Sequence, residues 1–172
     1  MGWRPTGRLL HFWSKKSMPP GKTPQQRPAD EADRVRSFYE EHPYPPPIDD
    51  LETYRKSWNN PLRRRAEFHR LWPGKPFRED FSILIAGCGT SQAAKYAMRW
   101  PAARVTGLDI SSTSIEHTNK LKQKYDLSNL ETQQFSIEEA GSLGRHFDLI
   151  VSTGVLHHLS DPSVGISALH HC

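Results

Sequence analysis

Apolar residues in the second half of the chain fall in short continuous runs, not in strict alternation. Phe81 to Ala86, Arg104 to Asp109 and Phe147 to Ser152 read as strands of a buried parallel sheet, and the more polar Leu130 to Phe135 as a further strand. Between the runs, apolar positions recur at helical spacing. One helix is predicted from about Ser91 to Trp100, with Ala93, Ala94 and Ala97 small enough for close approach to a sheet. Pro101 marks its end. A second opens on a capping box, Thr113 and Glu116, and turns Ile115, Thr118, Leu121 and Tyr125 to one side. Asp161 and Pro162 open a last helix as N-cap and first-turn proline. Upstream, Asp30 is the predicted N-cap of a helix carrying Ala32, Val35, Phe38, Tyr39 and His42 on one face, ended by Pro43. Pro45 to Pro47 must be extended. Two short helices follow, Asp49 to Trp58 and Pro61 to Trp72. Strands alternating with helices predict an α/β fold, a mostly parallel sheet with flanking helices, preceded by N-terminal helices.

The chemistry is concentrated where the first strand stops. Ile83-Leu84-Ile85-Ala86 runs into Gly87-Cys88-Gly89-Thr90 and then directly into a helix. A parallel strand handing over to a helix N-terminus through glycines is a ligand-binding turn. Twenty residues past Gly89 the second strand ends in Asp109, whose carboxylate can accept hydrogen bonds from a ribose diol. Together they point to a nucleoside cofactor lying across two strand ends. A dinucleotide fingerprint, G-x-G-x-x-G, would need glycine where Gln92 stands, which argues against a dehydrogenase or epimerase.

The turn instead resembles the G-x-G-x-G loop of class I S-adenosylmethionine-dependent methyltransferases. It departs from that pattern at Ser91, the third glycine position, and at Ile85, where many members carry an acid. Phe147-Asp148-Leu149-Ile150-Val151-Ser152-Thr153-Gly154-Val155-Leu156-His157-His158-Leu159 resembles the fourth strand and following loop of the same family. Phe38-Tyr39-Glu40-Glu41-His42-Pro43-Tyr44-Pro45 is similar to an N-terminal element of some bacterial members, where a helix and turn lie over the cofactor pocket. A helix that merely covers one sheet face is the alternative.

The resemblance implies a Rossmann-like domain over residues 81–172 and a helical cap over 30–80, while composition reads 1–29 as a disordered basic tail and linker. The implied cofactor is S-adenosyl-L-methionine. Its implied contacts are Gly87, Cys88, Gly89 and Thr90 at the turn, Asp109 and Ile110 at the ribose and adenine, a residue after strand three flanking the adenine, for which Ser136, Ile137 and Glu138 are the candidates, and Thr153 and Gly154 beneath the methionine end. His157 is the candidate general base. Methyl transfer from a sulfonium asks for little beyond alignment and occasional proton removal, so no catalytic constellation is expected. The acceptor, a small molecule or another group, is not legible. A family domain has seven strands in the order 3-2-1-4-5-7-6. This chain supplies 3-2-1-4, which reads as an incomplete sheet and a truncated enzyme, or as a non-catalytic remnant. An open fourth-strand edge would favour self-association and marginal stability.

Composition adds boundaries. Residues 1–28 hold six cations and no acid, so the rest sum to −2 within a total of +4. The basic character belongs to the tail, and nucleic acid is not an expected partner of the body. Arg63-Arg64-Arg65 reads as a solvated helix face. Two cysteines, Cys88 and Cys172, exclude a disulfide framework and suit a reducing, cytoplasmic setting. No run is long enough to span a membrane. His157-His158 and His170-His171-Cys172 lack metal-ligand spacing, so no metal is expected.

Overall fold

The computed structural model describes the backbone of residues 29–172 and side chains from residue 33. The basic tail, and most of its junction with the first helix, lie outside the described residues. Ten elements follow in order: α1 (Ala29–Glu41), α2 (Glu52–Trp58), α3 (Pro61–Leu71), β1 (Ser82–Ala86), α4 (Gln92–Arg99), β2 (Arg104–Asp109), α5 (Ser112–Lys124), β3 (Leu130–Gln134), β4 (Leu149–Val151) and α6 (Pro162–His170). Two short 3-10 turns, Ile137–Leu143 and Leu156–His158, complete the list.

The four strands form one parallel sheet in the order β3-β2-β1-β4. β1 is central, and its alternation explains why its sequence is apolar throughout. Ile83 and Ile85 enter a core with Ala93, Ala94, Ala97, Trp100 and Phe68. Leu84 and Ala86 enter a second core, on the other face, with Leu108, Ile137, Ala140 and Leu169. Helices therefore cover both faces, as a parallel sheet requires.

The first core ends in stacked aromatics. Trp100 is fully buried and meets Phe81 edge-on at 5.1 Å, and Phe81 meets Trp72 at 4.9 Å. The indole Nε1 of Trp100 has no hydrogen-bond partner among the described residues. Trp100→Ala should cost about 3–5 kcal/mol through the cavity it leaves. Trp100→Phe should cost much less, because it keeps a ring and removes the orphaned donor. Urea unfolding of both variants checks the order. Nearby, Asn129 Nδ2 donates to the carbonyls of Ala97, Trp100 and Ala103, joining the end of α4 to the start of β3.

Several boundaries differ from the sequence reading, each for a local reason. α1 is already running at Ala29, so Asp30 lies inside it and is not its N-cap. α2 begins at Glu52, not Asp49, because Asp50 Oδ1 takes the Glu52 N–H and Asp49 is drawn to α5 by Lys124 and His117. β4 is three residues long, not six. α5 is capped by Ser111, whose hydroxyl accepts from the Ser114 N–H, and the expected Thr113–Glu116 box does not form. Thr113 instead donates to Glu40 of α1. Asp161 caps α6 as expected. Each arginine of the 63–65 triplet has a partner: Arg63 lies over Trp58, Arg64 pairs with Glu79, and Arg65 lies over Phe77.

Candidate functional site

The carboxyl ends of β1, β2 and β4 open into a cavity of about 430 Å³. Its floor is the turn after β1. Gly87 and Gly89 have φ of +75° and +53°, which L side chains rarely adopt. A Cβ on Gly87 would lie 2.3 Å from Val155 Cγ2, and one on Gly89 would lie 2.6 Å from the Tyr44 carbonyl oxygen. The turn is also tied to β2, because the Gly87 and Cys88 N–H groups both donate to the Leu108 carbonyl at 2.8 Å.

Asp109 joins this turn directly. Its Oδ2 accepts from the Gly89 N–H at 2.7 Å, and its Oδ1 from the Ser111 N–H at 3.0 Å. Burial is the largest influence on its carboxyl and raises it above the ordinary carboxylate range, with the Glu40 charge adding to the rise. The backbone N–H groups of Ser111, Gly89 and Ile110 work the other way. Each oxygen accepts one bond, from Gly89 or from Ser111, so the carboxylate keeps acceptor capacity towards the cavity.

Ser91 is the least expected member. It is fully buried, lines the cavity at the N-terminus of α4, and its hydroxyl has no partner among the described residues. With φ of −149° it needs no glycine, so a serine fits the third position of the loop without strain. An unsatisfied buried hydroxyl at a helix N-terminus is a ready donor to an anionic group.

The structure brings most of the expected residues together. Gly87, Cys88, Gly89, Asp109 and Ile110 line the cavity, as do Ser136, Ile137, Thr153 and Gly154. Two do not. Thr90 is fully buried and turned away, its hydroxyl donating to the Pro45 carbonyl at 2.8 Å and its own carbonyl held by His117 Nδ1. His157 is exposed and lies beside His158, with ring centroids 3.9 Å apart. It is His158 that lines the cavity, and its Nε2 meets the Tyr39 hydroxyl at 2.8 Å. The 3-10 turn at 156–158 separates adjacent histidines by about a third of a rotation, which decides between them. Burial, then the neighbouring His157, lowers the His158 imidazole below its usual value. The Cys88 thiol sits in the apolar core, donates to the Gly89 carbonyl, and is pushed far up by burial, so it is inert as a nucleophile.

Sequence reasoning gave no site role to Val35, Tyr39, Tyr44 or Pro45, which form the cavity's upper wall. It placed Val35 and Tyr39 on one helix face and noted that the segment from Phe38 to Pro45 resembles an element overlying a pocket. It also missed Phe135 and Val155, whose apolar character gave no distinguishing signal. Among the described residues there is no cluster of metal ligands, and no helix is long and apolar enough to cross a membrane.

A parallel α/β sheet with a glycine turn bonded to an acid at the next strand end is the geometry of a nucleoside-binding domain. Comparison with known proteins agrees: residues 83–172 match the family described as "Methyltransferase domain". The chain belongs to the class I methyltransferase family. It is 33% identical over 141 residues to an uncharacterized protein of Synechococcus sp., covering 78% of this chain and 33% of that one. It is 36% identical over 80 residues to a malonyl-[acyl-carrier protein] O-methyltransferase of Acetivibrio thermocellus, covering 46% of this chain and 27% of the other. Among solved structures it is similar to PKMT2 from Rickettsia typhi in complex with AdoHcy. The TM-score is 0.52 at 25% identity, over 67% of this chain and 23% of that one. The chain thus spans a third or less of the lengths of these proteins.

Proposed function

We propose that this chain is the cofactor-holding part of an S-adenosylmethionine-dependent methyltransferase. The observation that carries the reading is the 2.7 Å bond from the Gly89 N–H to Asp109, which sets an acid and a glycine turn on one side of a cavity. Two further features suit the cofactor. The glycines leave room that a Cβ would fill, and the orphaned Ser91 hydroxyl asks for an acceptor.

Bound there, S-adenosylmethionine would supply an activated methyl group on a sulfonium centre. The chain's own residues do the holding. Asp109 accepts from the ribose hydroxyls through the lone pairs that Gly89 and Ser111 leave free. Ser91 and the first N–H groups of α4 take the amino-acid carboxylate, aided by the positive end of the helix. Ile110, Phe135 and Ile137 form the apolar seat of the base. Thr153 and Gly154, also in the cavity lining, would lie beneath the methionine end. His158, in place of the expected His157, is the group placed to accept a proton. Its lowered pKa keeps the imidazole neutral near pH 7.

Calorimetric titration tests the reading. S-adenosylhomocysteine should give saturable heat, and NAD none. Heat with NAD alone, or none with either ligand, would overturn it; the second outcome would leave a remnant that keeps the fold without the binding.

A further inference from the structure

α1 and the segment that follows it form a strap across the cavity mouth, and three of its fixings lie beside the cavity, while Asp49 further along is held to α5 by His117 and Lys124. Tyr39 reaches over to His158, with the hydroxyl 2.8 Å from Nε2. The Thr90 hydroxyl donates to the Pro45 carbonyl at 2.8 Å, while the Tyr44 carbonyl rests on Gly89. The third fixing is the Glu40 carboxylate. It accepts from the backbone N–H groups of Ser112 and Thr113 at 2.7 and 3.0 Å, and from both side-chain hydroxyls.

These bonds complete the accounting at the start of α5. The first N–H groups of a helix have no partner within it. Ser111 satisfies Ser114, and Glu40 satisfies Ser112 and Thr113 from a different helix. The donors hold the Glu40 carboxyl down at about 2, so it is ionised at any physiological pH. Of the three fixings beside the cavity Glu40 is the charged one, and charge-assisted bonds are the strong ones; further along, Lys124 donates to the Asp49 carbonyl. Because Glu40 adjoins Tyr39, the contact that docks α1 on α5 also delivers the Tyr39 phenol into the cavity.

We propose that Glu40 is a latch: its release from the N-terminus of α5 frees the strap and sets the rate at which ligand enters and leaves. The inference rests on the cofactor reading above. Glu40 lies outside the cavity lining and acts through Tyr39, Tyr44 and Pro45, so it is a positioning residue.

The test measures association and dissociation rates of S-adenosylhomocysteine with the 172-residue chain and its Glu40→Gln variant. Both rates should rise about tenfold or more in the variant, with a smaller change in equilibrium affinity. Amide hydrogen exchange without ligand should quicken at Ser112, Thr113 and residues 33–45. Unchanged rates beside normal wild-type binding would overturn the latch. If the wild type fails to bind S-adenosylhomocysteine, the cofactor reading fails, and the ligand-free exchange judges the latch alone: unaltered protection at Ser112 and Thr113 overturns it. Should Glu40→Gln not fold, Thr113→Val removes one donor and must shift the same rates in the same direction by a smaller factor. No shift there also overturns the proposal.

Discussion

Asp109→Asn will weaken S-adenosylhomocysteine binding by about a hundredfold, because one of the two charged acceptor oxygens becomes a donor and a bond from a diol to a charged acceptor contributes about 1.5–3 kcal/mol. The substitution keeps size and shape. It exchanges one acceptor oxygen for a donor, which must then face the Gly89 N–H, the Ser111 N–H or the ligand. The melting temperature should fall modestly, because each carboxylate oxygen holds a backbone N–H and the new amide nitrogen must set a donor against that of Gly89 or Ser111. Burial raises the Asp109 carboxyl above its unfolded value, so ionising it at neutral pH works against folding, and losing the charge does not undermine the domain. The pH dependence follows with a definite sign. Wild-type affinity should fall as pH drops through the raised carboxyl value, starting at higher pH than for an exposed aspartate. The asparagine variant should show no such fall. Calorimetry across acid pH, paired with thermal melts, checks both. Equal affinity of the two proteins at neutral pH would remove Asp109 from the site.

Gly89→Ala is expected to abolish ligand binding and undock the strap together. The residue sits at φ +53°, where an L side chain costs roughly 1–2 kcal/mol before any contact is counted. The added methyl would then lie 2.6 Å from the Tyr44 carbonyl oxygen and 2.8 Å from Pro45 Cδ. Neither is the far end of a flexible side chain, so the strap or the turn must move. Either movement breaks the 2.7 Å bond to Asp109 or the Thr90–Pro45 bond. Gly144, also at positive φ but with nothing near its missing Cβ, is the matched control. Gly144→Ala should melt slightly lower and bind normally. Comparing hydrogen exchange over residues 39–50 in the two variants separates loss of docking from general loosening. Normal strap protection in Gly89→Ala would refute the coupling of turn and strap.

How much could be read beforehand depends on how local the cause is. The order of strands and helices, the glycine turn and the acid twenty residues later were all visible, because burial on both faces and backbone freedom leave their mark within a few residues. The Thr113–Glu116 box failed for the complementary reason. Glu40, more than seventy residues away, takes the same helix end, and Ser111 does the capping. The choice of His158 over His157 was closed to sequence reasoning, since neighbours in a chain differ only in the direction the fold turns them. Ser91 looked like a defect in the loop. In place it is a buried N-cap residue with a free hydroxyl, at a backbone angle that never required glycine.

The sequence by itself determined the alternation of buried strands and helices and the glycine turn with its acid, because periodicity, β1's double-faced burial and backbone freedom are short-range properties; the order of the strands came with the family resemblance. Only the tertiary structure decided which side chains face the cavity and what covers it. Those contacts join Tyr39, Glu40 and Pro45 to groups 45 to 119 residues away, and no local pattern of polarity records which distant partner a hydroxyl or carboxylate will meet.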